Sequence, residues 1–201
     1  MLLERGLVFT HEAGREWEAQ LAPLLSETLR KHRRGRIGCS WYVDETFLKV
    51  KGRSVYLYRA IDRDGNLVDV LLSEKRDKAA AEAFFRSART VTGCVPQRIT
   101  SDGHDAYPGA IKAALGEAVH HRTNRYLNNH LEQDHRGIKQ RIRPMGGFKS
   151  VASAGRFCRA HDEVRNFLRP RSRRNEIVSL AQRRLLHTAR TRVLLTSLAA
   201  A

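Results

Sequence analysis

Trp41-Tyr42-Val43-Asp44-Glu45-Thr46-Phe47-Leu48-Lys49-Val50 is rich in aromatic and β-branched residues and reads as a strand with a carboxylate, Asp44, in its middle. Lys51-Gly52-Arg53 turns the chain into Ser54-Val55-Tyr56-Leu57-Tyr58-Arg59-Ala60-Ile61, a second strand of similar composition. Asp62-Arg63-Asp64-Gly65-Asn66 is a hairpin signal, because Asp-Gly tolerates positive φ. Leu67 to Leu72 then makes a third strand. Three consecutive antiparallel strands are the economical reading.

Beyond them the apolar period changes from two to three and four. Asp77 can cap a helix in which Ala81, Phe84, Phe85, Ala88 and Val91 recur, and Gly93 ends it. Gln97 to Asp102 reads as a short buried strand ending in a carboxylate. A helix from Asp105 to Leu115 stops at Gly116, Ala118 to His121 is a fifth strand, and Asn129 to Arg141 is the next helix. The order βββ-α-β-α-β-α is that of the ribonuclease H fold, whose mixed sheet gathers carboxylates from the first strand, the fourth strand and a late helix. We therefore expect an α/β, ribonuclease H-like catalytic domain over residues 39–150, a mixed five-stranded sheet with flanking helices. Residues 1–38 are expected to be helical and to end in a basic linker, Lys31-His32-Arg33-Arg34-Gly35-Arg36. Residues 151–201 form a basic helical extension: a helix from about Val151 to Leu168, the run Arg169-Pro170-Arg171-Ser172-Arg173-Arg174, and a last amphipathic helix. Element order says nothing by itself about chemistry.

Lys and Arg number 37 against 21 acidic residues, a formal charge of +16, which argues for a polyanionic partner. Nucleic acid fits better than membrane, since no apolar run approaches the length of a spanning helix. With 41% apolar residues, the chain can bury one medium domain plus smaller appendages. Cys39, Cys94 and Cys158 are far apart, so neither a disulfide framework nor a zinc site is indicated. The start shows no signal-peptide pattern, and a cytoplasmic protein is expected.

Asn128-Asn129-His130-Leu131-Glu132-Gln133-Asp134-His135-Arg136-Gly137-Ile138-Lys139 carries the late carboxylate. Glu132 and Lys139 are seven residues apart, nearly two helical turns, so they share a face, with His135 and Arg136 between them. Such pairs are usually solvated ion pairs. The rival reading is a carboxylate holding a hard divalent metal beside phosphate. The strand order allows Asp44, Asp102 and Glu132 to meet at one sheet edge. Phosphoryl transfer needs two divalent ions roughly 3.5–4 Å apart, and three carboxylates can hold both. Against this, 21 acidic residues supply many arbitrary triples, and Asp44 also reads as a surface residue on an edge strand.

Five blocks, in order, resemble one family: Trp41-Tyr42-Val43-Asp44-Glu45-Thr46, Val55 to Asp62, Thr100-Ser101-Asp102-Gly103-His104, Tyr126-Leu127-Asn128-Asn129 through His135, and Gly146-Gly147-Phe148-Lys149-Ser150. They are similar to the IS six (IS twenty-six-like) insertion-sequence transposases, DDE-type recombinases of bacteria and archaea, over about residues 36 to 170. The resemblance implies a DNA transposase that cleaves and joins strands at element ends. It makes Asp44, Asp102 and Glu132 the catalytic triad and metal ligands, for two Mg²⁺ ions that Mn²⁺ can replace, and Lys139 the basic residue that follows. It also implies binding to terminal inverted repeats and target DNA as a homodimer or higher oligomer, nucleoid-associated when bound. Phosphate contacts are expected from Lys139, Arg136 and Arg141 on the late helix, and from Arg15, Arg33 and Arg34 in the N-terminal region.

Leu2 to Trp17 resembles only the second half of the family's helix-turn-helix, with Gly14 inside the presumed recognition helix, so a truncated chain is the expectation. The alternative function is accordingly a catalytically silent DNA-binding fragment that inhibits full-length transposase. Trp17 and Trp41 are expected in the core, and Phe157, Val164 and Phe167 as a core or dimer stripe. His104, His120, His121, His130 and His135 lack zinc-ligand spacing, although His104 and His135 are placed to touch phosphate near the triad.

Overall fold

The computed structural model describes residues 10–31, 35, 37–124, 129–169 and 178–199. Leu2 to Phe9, Arg33, Arg34, Tyr126 to Asn128 and Pro170 to Arg174, all singled out above, lie outside the described residues.

Five strands make one sheet: β1 (Ser40–Val50), β2 (Arg53–Asp62), β3 (Leu67–Ser73), β4 (Arg98–Ser101) and β5 (His120–Thr123), in the order β3-β2-β1-β4-β5. The first three pair antiparallel, while β4 lies parallel to β1 and β5 parallel to β4. This is the mixed sheet of the ribonuclease H-like fold. The hairpin between β2 and β3 is built on Asp62, whose carboxylate accepts from the backbone N–H groups of Gly38, Asp64 and Asn66. The register of the meander is therefore set by a turn the chain stabilises for itself.

Helices cover both faces. On one, α2 (Lys78–Thr92) and α3 (Ala106–Leu115) bury Phe84, Phe85, Tyr107 and Ile111 against Trp41, Val43, Tyr58 and Ala60. Asp77 caps α2 through the Ala80 N–H at 2.8 Å, and Gly93 closes it in the left-handed conformation, as expected from sequence. On the other face, α4 (Asn129–Ile142) and α5 (Val151–Leu168) set Ile138, Ala154 and Cys158 against Leu48, Val50, Val55 and Leu57. A short 3₁₀ turn, Arg143–Met145, links these helices. Gly146 and Gly147 then carry positive φ and return the chain so that Phe148 bridges Val50 of β1. Ser150 caps α5.

α5 is tied to the sheet by charge as well as by packing. Arg59 of β2 is buried at 1% exposure. Its Nε lies 2.8 Å from Asp162 and its Nη2 donates to the same carboxylate at 2.9 Å. Burial works against the Asp162 charge, but Arg59 together with His161 and Arg165 more than offsets it and holds its pKa below the usual value.

α1 (His11–Lys31) is one continuous helix through Gly14 and packs on α5. Arg30 reaches the buried Asp69 of β3 at 3.3 Å. Trp17 is 44% exposed, contrary to the core placement expected of it; on α1 it sits among exposed neighbours, whereas Trp41 is fully buried. The last helix, α6 (Leu180–Ala199), leaves Leu180, Leu185, Val193 and Leu195 largely exposed. Among the described residues no helix is long and apolar enough to cross a membrane.

Candidate active site

The parallel pairing of β1 with β4 ends at Tyr42 and Thr100. Two residues further on, each strand carries a carboxylate: Asp44 on β1, Asp102 just past β4. Immediately after Asp102 the chain turns sharply. Gly103, at φ +97°, makes that turn, and a Cβ there would sit 2.6 Å from Thr123 Cγ2 on β5. Only glycine meets both demands. Asp102 Oδ1 accepts the His104 N–H at 3.2 Å, and Ser101 Oγ bonds the His121 ring at 2.9 Å, so the turn is held from both sides.

Asp44, Asp102 and Glu45 bring carboxylate oxygens within 4.8 Å of one another, an arrangement that could hold a metal ion. Burial, then Asp102 and Glu45 beside it, pushes the Asp44 carboxyl up to about 7 despite a hydrogen bond from the Glu45 N–H. Three acids so close resist ionising together without a cation, and the donor set is hard oxygen throughout. These residues fit a divalent hard metal.

Glu45 was not singled out from the sequence. Neighbours on a strand point to opposite faces, which argues against Asp44 and Glu45 sharing a site. Here β1 has run beyond the end of β4. Glu45 is not free, however: its Oε1 accepts from Arg76 Nε at 2.7 Å and its Oε2 from the Tyr107 hydroxyl. Burial and the Glu45 charge raise the Tyr107 pKa well above its ordinary value, so the hydroxyl stays a donor.

Glu132 stands in the first turn of α4, exposed, and outside the 4.8 Å group. Its charge still adds, as the smallest contribution, to the upward push on Asp44, so it lies within electrostatic reach of that carboxyl. Asp134, two residues on, is rotated about 200° around the helix. It faces the other way, with Arg165 at 2.5 Å and Arg59 at 3.8 Å. Of the two acids on this helix, Asp134 is thus engaged by arginines of β2 and α5.

His135, one turn past Glu132, is 7% exposed, and its Nδ1 is 3.7 Å from Asp44 Oδ2. Burial, with Arg59 and Lys139 nearby, drives its pKa down to about 3, so this is a neutral ring in contact with a carboxylate and not an ion pair. Lys139 is exposed, with its Nζ 4.8 Å above the Phe47 ring of β1. Arg136 and Arg141 are exposed along α4, and Arg15 is exposed on α1.

Residues 38–171 match a family model described as a DDE domain. A transposase for the insertion sequence-like element IS431mec of Staphylococcus aureus is 37% identical over 145 residues, 70% of this chain and 64% of that protein. The transposase for IS257 in transposon Tn4003, also of S. aureus, matches to the same extent. The chain thus spans somewhat less than two thirds of these curated relatives. Among solved structures, the HTLV-2 integrase catalytic core domain in complex with magnesium (trimeric form) superposes with a TM-score of 0.48 at 15% identity, covering 77% of this chain and 99% of that one.

Proposed function

Because this chain belongs to the DDE-domain family of insertion-sequence transposases, we propose that it cleaves DNA at the ends of an insertion sequence and joins the freed strand to a target. The convergence of Asp44 and Asp102 at the end of the β1–β4 pairing carries this reading. Asp44 and Asp102 are the principal ligands, and Glu132 completes the set from α4. Two Mg²⁺ ions, or Mn²⁺ in their place, would supply activation of the attacking oxygen and charge stabilisation at the leaving oxygen.

The chain's own residues do the rest. Asp44 is held poised by burial and by the neighbouring Asp102 charge, so that cation binding relieves an unfavourable charge density. His135, neutral against Asp44, limits the rotamers open to that carboxylate without competing for the cation. Lys139 offers a point charge to the DNA backbone, a contact that positions DNA without reading sequence. Arg15, Arg136 and Arg141, with Arg33 and Arg34 of the linker, are the further phosphate contacts of this reading. In this reading, residues 39–150 are the catalytic unit, while 1–38 and 151–201 contribute DNA contacts. The DNA partners are the terminal inverted repeats and the target, engaged by a homodimer or higher oligomer associated with the nucleoid.

The test is nicking of a plasmid carrying the element's ends. Cleavage should require Mg²⁺ or Mn²⁺ and vanish in Asp44→Asn and Asp102→Asn, while both variants still bind DNA with a steep salt dependence. Undiminished nicking by Asp44→Asn would remove the mechanism.

A further inference from the structure

Arg76 enters the site from the turn between β3 and α2. Its Nε and Nη2 both engage Glu45 Oε1. Tyr107 donates to the other Glu45 oxygen, so the acid is gripped from two sides and its side chain is only 4% exposed. The Arg76 side chain, by contrast, is 41% exposed. Glu45 reaches within 4.8 Å of Asp44 and Asp102, which places Arg76 one hydrogen bond away from the aspartate pair. Burial works against the Arg76 charge, but Glu45 and then Asp102 more than offset it and raise its pKa, so Asp102 is within electrostatic reach.

A half-exposed ion pair is ordinarily worth little to stability, yet this one buries a carboxylate beside two others of like charge. What it achieves is orientation. Two of the five N–H bonds of the guanidinium are committed to Glu45, which fixes the plane of the fork and leaves three donors for another partner on a side chain that is partly exposed. With donors on both its oxygens, Glu45 is an anchor more readily than a metal ligand.

We propose that Arg76, anchored by Glu45 and Tyr107, is a phosphodiester-binding arm that grips the DNA strand next to the phosphate seated at Asp44 and Asp102. The proposal rests on the DNA-cutting reading above. Lys139 comes from the helix layer on the other face of the sheet, so a strand laid across the aspartates meets a cation from each layer. Arg76 is the better shaped of the two for a phosphate, since its planar fork can donate two parallel hydrogen bonds.

The experiment is a binding interference scan with the full chain in Ca²⁺. The probe is a short duplex carrying an element end, its phosphates replaced singly by neutral methylphosphonate around the cleaved bond. Wild-type protein should lose about tenfold in affinity at one position flanking that bond, the loss expected for a charge-assisted pair. Arg76→Gln should be insensitive there, with a salt slope shallower by about one. Glu45→Gln should show the same insensitivity, although by charge count alone it would bind DNA more tightly. The same interference pattern in Arg76→Gln and wild type would overturn the proposal. So would a Glu45→Gln protein with normal interference and a raised Mg²⁺ requirement, which would make Glu45 a ligand. Cleavage is followed in parallel. Position-specific interference lost in Arg76→Gln, with no cleavage by wild type, would uphold the arm and remove the DNA-cutting reading.

Discussion

Asp44 and Asp102 each stand two residues beyond the Tyr42–Thr100 pair, where β1 and β4 part. Parallel pairing in register delivers two carboxylates side by side at the place where β1 and β4 stop pairing, while β1 runs on against β2. The site is thus a consequence of topology as much as of residue choice, and its tension is electrostatic.

That tension predicts a trade between stability and activity. Asp44 titrates near 7 in the folded chain against 3.8 in the unfolded one. The folded state therefore binds the extra proton between those values, and stability contributed by this group falls as pH rises from about 4 to 7. Asp44→Asn should abolish cleavage yet raise the Tm of the metal-free protein at pH 7.5. The difference in Tm between variant and wild type should shrink toward pH 4.5 and on adding Mg²⁺. A pH-independent difference would contradict the origin assigned to the shift.

His135 should remain neutral through the working range. Its folded pKa of about 3 lies below the ordinary 6.5, so this group favours folding fully above 6.5 and progressively less as pH falls toward 3. NMR of the imidazole carbons should show no His135 titration between pH 5 and 8. A midpoint near 6.5 would mean that the ring is wetter, or nearer to Asp44, than described.

Breaking the Arg59–Asp162 pair should be severe. Both groups are almost wholly buried, and removing one strands the other, at a cost of ~3–5 kcal/mol. Urea unfolding of Asp162→Ala should show a loss of that size. Arg59→Met with Asp162→Leu should recover much of it. Equal losses in the single and double variants would show that shape, not charge, holds α5 to the sheet.

Gly103→Ala should damage both fold and chemistry, because the new Cβ meets Thr123 at 2.6 Å on a left-handed backbone. A cost of ~1–3 kcal/mol is expected from strain, together with a fall in cleavage rate as Asp102 shifts. Adding Thr123→Ser removes the methyl and should return part of the stability, leaving the φ penalty. No recovery would place the cost entirely in the backbone.

The strands, the Asp62 hairpin and the caps Asp77 and Gly93 were legible because each is a local signal: alternation, a turn dipeptide, a side chain reaching its own helix start. The approach of Asp44 to Asp102 was legible only from the element order and the family resemblance, since Asp44 lies mid-strand and alone reads equally as a surface residue. Glu45 was not, since alternation assigns it to the other face and only the overhang of β1 past β4 lets it join. The Arg59–Asp162 pair joins residues 103 apart, a partnership no local pattern reveals. Trp17 misled because large aromatics usually belong to cores, and here α1 presents it outward. The pairing of Asp134 with arginines of β2 and α5 is likewise something only the folded chain brings together.

Iron-directed cleavage of the protein itself tests the central claim most directly. With Fe²⁺ replacing Mg²⁺ in the DNA complex, ascorbate and peroxide cut the backbone beside the bound ion. The account predicts cuts clustered near residues 44, 102 and 132, suppressed by excess Mg²⁺ and absent in Asp44→Asn. Cuts elsewhere in the chain, or cuts that Asp44→Asn leaves intact, would contradict it.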